Sequence, residues 1–136
     1  MNEKPDINKL NQYPAVILAY IGDAVFELIV REHTIASGPR KMRDIHHDTV
    51  DIVKSKTQAL AIRRLYEELS AEEKDIVRRG RNVKSAPPKH ADVIEYRMST
   101  GFEALLGYLY LKGDQERLLY LTGKVLEGEL KEKGEI

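Results

Sequence analysis

Apolar residues along this chain recur mostly at spacings of three and four, and no segment alternates as a half-buried strand would, so the pattern predicts an all-α fold. The first long stretch opens at Pro14, a residue suited to a first helical turn. It runs through Val16, Ile17, Tyr20, Ile21, Ala24, Val25, Leu28 and Ile29 until Gly38-Pro39 stops it. These positions cover more than one face, which predicts burial on two sides. A polar, mixed stretch from Met42 to about His47 predicts a short helix, and a longer one follows through Val50, Val53, Thr57, Leu60, Ala61 and Leu65. Ser70-Ala71-Glu72-Glu73 has the form of a capping box and opens a helix that should end between Gly80 and Asn82. Pro87-Pro88 and their polar neighbours predict a loop over 83–91. Asp92 can cap the next helix, whose apolar Met98, Phe102, Leu105, Leu106 and Leu109 lead to a stop at Gly113. Asp114 begins the last helix, through Leu118, Leu119, Leu121, Val125 and Leu126. Residues 1–8 and the last several residues should fray.

Two carboxylates break the apolar pattern. Asp23 sits in Leu18-Ala19-Tyr20-Ile21-Gly22-Asp23-Ala24-Val25-Phe26, and Glu103 in Gly101-Phe102-Glu103-Ala104-Leu105-Leu106-Gly107-Tyr108. Charged side chains are rarely buried unless paired or bound to a metal, so both need a partner, and one divalent cation shared between them would serve. Gly22 and Gly101 stand beside them inside helices, where glycine costs about 1 kcal/mol relative to alanine. Tight helix packing accounts for an isolated glycine and an arginine ion pair for a lone aspartate; the recurrence at two places favours a shared site.

Composition narrows the chemistry. A chain of 136 residues with 42% hydrophobic side chains builds one domain, 1–136. It has no cysteine, so a metal must be held by oxygen or imidazole, and a reducing cytoplasm is the expected compartment. The longest uncharged run, residues 10–22, is too short for the roughly 20 residues that span a bilayer, which predicts no membrane association. His33, His46, His47 and His90 form no recognisable metal spacing, and neither a glycine-rich phosphate loop nor a nucleophilic serine motif is present. Net charge is zero, with 22 basic and 22 acidic residues, but residues 78–89 carry five positive charges and no acid. Local sign steers a phosphate backbone more than the sum does.

Ile21-Gly22-Asp23-Ala24-Val25-Phe26-Glu27-Leu28 resembles the signature helix of ribonuclease III enzymes, and Thr100-Gly101-Phe102-Glu103-Ala104-Leu105-Leu106-Gly107 resembles their second catalytic segment. The resemblance covers nearly the whole chain. It is closest to the minimal subfamily, Mini-ribonuclease III, which also shows Arg79-Gly80-Arg81-Asn82 and an Ala-Tyr-Ile-Gly-Asp segment like residues 19–23. It implies a ribonuclease III-like helical bundle, a Mg2+-dependent endoribonuclease of double-stranded RNA, and Asp23 and Glu103 as catalytic, metal-binding residues. It further implies a homodimer that matures the large-subunit (23S) ribosomal RNA precursor. The larger enzymes carry further acids at the positions of Ala19 and Thr100, so the acidic set here is reduced to two, and 136 residues leave no room for a double-stranded RNA-binding domain. Glu27 either assists Asp23, one turn away, or pairs with Arg31 at i,i+4. The alternative function is a non-catalytic RNA-binding or ribosome-associated dimer.

Double-stranded RNA is recognised mainly by shape and backbone, so basic, hydrogen-bonding segments are the expected contacts. Arg78, Arg79, Arg81, Asn82, Lys84 and Lys89 form the leading group, supported by Lys54, Lys56 and Gln58; a solvated helix end is the competing account of such a charge run. One carboxylate pair cuts one strand, so a two-fold dimer is the simplest cutter of duplex, with Ile17, Ile21, Val25 and Phe26 as candidate seam residues.

Overall fold

The computed structural model describes residue 3, residues 5–84 and residues 86–132. Among these there is no strand, and the architecture is all-α. The helices are α1 (Ala15–Ile35), α2 (Met42–Val53), α3 (Ser55–Leu65), α4 (Ala71–Arg81), α5 (Val93–Lys112) and α6 (Gln115–Glu132), with 3-10 turns at Ile7–Gln12 and Tyr66–Glu68. None of them is long and apolar enough to cross a membrane. Part of the predicted 83–91 loop, Ser85, and residues 1, 2, 4 and 133–136 of the predicted frayed ends lie outside the described residues.

Helix α5 is the axis of the fold, with α1, α3 and α4 packed around it. Its sequence explains why. Phe102, Ala104, Leu105, Leu106 and Leu109 are apolar on all sides, and a helix of that kind is stable only when neighbours enclose it. The core continues through Leu18, Phe26 and Val30 of α1, Ile62 of α3 and Ile76 of α4.

Glycines set how closely the helices approach. A Cβ on Gly22 would lie 1.7 Å from the carbonyl oxygen of Glu103, and one on Gly107 would lie 1.9 Å from that of Leu18, so α1 and α5 cross backbone against backbone. Gly80 and Gly101 do the same for α4 and α5: a Cβ on Gly80 would meet the Gly101 Cα at 2.7 Å. Helix packing, the bland explanation of Gly22 and Gly101, is therefore correct for both, and it is also what brings the two acidic segments together.

The predicted caps form. Ser70 and Glu73 make the full capping box of α4, Asp92 accepts from the Glu95 N–H, and Gly113 ends α5 at φ 85°. Burial raises the Glu73 carboxyl, but the hydrogen bonds and charge of Arg117 and the Ser70 N–H outweigh it and hold the group below the usual glutamate range. The Arg117 guanidinium grips both Glu73 oxygens at 2.9 Å and the Glu68 carbonyl at 3.0 Å, which ties α6 to the start of α4.

Two predicted boundaries move. The 3-10 turn Ile7–Gln12 replaces part of the expected frayed end, because Leu10 is anchored in the core at 1% exposure. The division in the middle of the chain falls at Lys54 rather than after His47. Lys54 is extended (φ −64°, ψ 153°), and side chains of α3 satisfy carbonyls that α2 leaves open: Thr57 Oγ1 donates to Asp51 and Gln58 Nε2 to Val53.

Candidate active site

Asp23 and Glu103 come from segments 80 residues apart, yet the glycine crossing places them together. Gly22 is seated on the Glu103 carbonyl, so Asp23, the next residue, lies beside Glu103 at the edge of the contact. The two carboxyl groups are hydrogen-bonded to each other. Their settings differ. Asp23 is on the solvent side of α1, which corrects the expectation that both acids are buried, whereas Glu103 is largely enclosed by α1, α3 and α5. Burial, then the Asp23 charge, then the hydrogen bond to Asp23 push the Glu103 carboxyl up to about 8; the Gln58 amide acts in the opposite direction.

The rest of the donor set is sparse. Ala19 is buried, and Thr100 turns its hydroxyl to the Tyr96 carbonyl. Glu27 pairs with Arg31 at 2.8 Å, so the salt bridge among its two alternatives forms. Among the described residues no third histidine or acid joins the pair, and no basic side chain forms an ion pair with Asp23 or Glu103. Two adjoining carboxylates with oxygen donors only, one open to solvent, fit a hard divalent cation that keeps most of its waters.

The predicted RNA contacts divide. Arg78, Arg81, Asn82, Lys84, Lys89 and Lys56 are exposed, with Arg78 paired to Asp75. Arg78, Asn82 and Lys84 border a shallow groove of about 490 Å³ that reaches the start of α1 at Pro14 to Val16. Arg79 lines the same groove, but its guanidinium donates at 2.6 Å to the Tyr13 carbonyl and so anchors the chain entering α1. Lys54 pairs with Asp51 at 2.7 Å beside the α2–α3 break. Gln58 is a correction: at 3% exposure it cannot reach RNA from the surface, and its Nε2 lies 3.4 Å from Glu103 Oε2. The signal was available, because Gln58, Ala61, Ile62 and Leu65 share one core-spaced helix face.

Of the proposed seam, Ile17 is 48% exposed, and Ile21 and Val25 line a groove of about 520 Å³ between α1, α5 and α6. Phe26 points the other way. It is 1% exposed and meets Phe102 edge-on with ring centroids 5.5 Å apart, so it is a core residue and no part of a surface. Leu28 and Leu119, outside the expected seam, line the same groove at 59% and 51% exposure, and Tyr20 of α1 is 82% exposed.

The Ribonuclease III domain model matches residues 17–114, a span that contains both acids and the crossing that joins them. The chain belongs to the ribonuclease III family, metal-dependent endoribonucleases that act on double-stranded RNA. Its relatives carry the name Mini-ribonuclease 3. That of Thermoanaerobacter sp. (strain X514) is 52% identical over 116 residues, 82% of each chain, and that of Streptococcus pneumoniae is 42% identical over 83% of this chain and 88% of its own. A crystal structure of a Fusobacterium nucleatum protein superposes with a TM-score of 0.81 at 30% identity, covering 90% of this chain and 98% of the other.

Proposed function

We propose that this chain is a Mg2+-dependent, homodimeric endoribonuclease that trims a duplex stem of the large-subunit (23S) ribosomal RNA precursor, with Asp23 and Glu103 as its catalytic and metal-binding residues. The observation that carries the proposal is the meeting of those two carboxylates, with no basic partner among the described residues, at the backbone crossing of α1 and α5. Asp23 projects toward solvent, where an RNA phosphate can approach, and Glu103 forms the enclosed floor. Asp23 and Glu103 would hold the Mg2+, which would supply positive charge beside the scissile phosphate and leaving 3′-oxygen and make a bound water more acidic. The residues hold the donors at fixed spacing and keep Glu103 away from bulk water.

Exposed Arg81, Asn82, Lys84, Lys89 and Lys56 supply backbone contacts to the duplex. Apolar Ile17, Tyr20, Ile21 and Leu28 support a two-fold seam, which would give one carboxylate pair per strand. The ribosomal substrate rests on the likeness to the Mini-ribonuclease 3 enzymes.

Long duplex RNA incubated with the protein should be cut only with Mg2+ present, and Asp23→Asn and Glu103→Gln should each abolish turnover while leaving the protein folded. Cleavage by Asp23→Asn at the parent rate would refute the assignment. Arg81→Ala and Lys84→Ala together should lower the salt slope of duplex binding by about two, one per lost phosphate contact; an unchanged slope removes this segment from the interface.

A further inference from the structure

Gln58 is a polar side chain spent in an expensive place. It is 3% exposed among Ala59, Ala61 and Ile62, and its Oε1 is buried without a hydrogen-bond partner. Its Nε2 has two neighbours: the Val53 carbonyl at 2.7 Å and the Glu103 Oε2 at 3.4 Å. The first contact closes the end of α2, and that alone would make Gln58 a cap. The neighbouring Thr57 already performs the same service for Asp51 with a shorter side chain and no orphaned atom. A glutamine adds reach into the carboxylate pair from the third helix that borders it. Asp23 arrives from α1 and Glu103 from α5, and Gln58 brings α3 to the same point.

We infer that Gln58 is a positioning residue for the cation site: its amide holds the Oε2 side of Glu103 so that the carboxylate faces a divalent ion shared with Asp23. The inference rests on the two-carboxylate site proposed above. Groups behind a metal ligand fix its orientation, and losing them typically weakens metal affinity about 10- to 100-fold. The contact is donor to acceptor, so an apolar side chain of similar length would fill the space but leave Glu103 without that restraint. The bare pair, with Asp23 bonded to Glu103, would then compete with the ion for the same oxygens.

Gln58→Leu and Gln58→Met test this together, since both keep the core filled. Mn2+ binding, followed by the loss of free-ion signal in electron paramagnetic resonance, should weaken about 10- to 100-fold in both. The Mg2+ concentration giving half-maximal cleavage should rise by a similar factor, with KM for duplex RNA unchanged and the rate recovered at high Mg2+. A merely structural role would not produce that recovery. If either variant folds and binds Mn2+ as tightly as the parent while Asp23→Asn has lost binding, Gln58 has no such role and the two-carboxylate site stands. If the parent itself fails to bind Mn2+, the site reading falls and takes this inference with it. Unfolding of both variants by circular dichroism would make Gln58 a structural residue and overturn the inference as well.

Discussion

A glutamate in solution is ionised at neutral pH, but Glu103, lifted by burial and then by Asp23 to about 8, retains its proton there when no cation is bound. The folded protein consequently binds this proton between the ordinary value of 4.5 and about 8, a range in which the unfolded chain has released it. Apo stability contributed by this group is therefore highest below 4.5, falls as pH rises through the window and levels off above 8. Thermal melts of the metal-free protein should show that decline, and Glu103→Gln should flatten it. Mg2+ should flatten it too, by offering the ionised carboxylate a partner; a decline that persists unchanged in Glu103→Gln would assign it to another group. Both acids were legible from their apolar surroundings, yet burial was not: the sequence pattern cannot tell that Asp23 lies at the rim while Glu103 lies beneath it. Gln58 was misread as a surface contact because it follows Lys54 and Lys56, although its spacing with Ile62 and Leu65 places it on the core face.

Between helices, four glycines do the spacing. Gly22→Ala would press a methyl group to 1.7 Å from the Glu103 carbonyl, and neither backbone can yield without parting α1 from α5. The variant should lose about 3 kcal/mol or more, at the upper end of overpacking costs. Because the clash falls at Glu103 itself, Mn2+ affinity should fall with it even in the fraction that remains folded. Gly123→Ala is the matched control. Nothing lies within 4 Å of its Cβ position on an exposed part of α6, so it should gain about 0.5–1 kcal/mol in denaturant unfolding. Equal effects from the two substitutions would contradict the close crossing. Periodicity and caps gave most helix limits, because those signals are local. The break at Lys54 was misplaced because what stabilises it, Thr57 and Gln58 folding back onto the carbonyls of α2, is a choice made by tertiary packing rather than by any breaker residue.

Over the whole molecule, Ile17, Tyr20 and Leu28 of α1 are exposed, and Leu28 lines a groove of about 520 Å³ with Ile21, Val25 and Leu119. If the proposed two-fold seam uses this face, Leu28→Asp, at a position 59% exposed, should leave the fold intact and shift sedimentation velocity from dimer to monomer, with loss of double-strand cleavage. A Leu28→Asp protein that sediments as the parent does would move the seam elsewhere. The sequence exposed the amphiphilic breadth of α1 but assigned Phe26 to the wrong side, since a helix apolar on two faces does not declare which one turns inward; Phe102, 76 residues away, decides it.

The crossing at Gly22 and Gly107 has one more consequence. Main chain resting on main chain sets the approach of α1 and α5, so the two backbones that carry Asp23 and Glu103 cannot draw apart without opening the crossing.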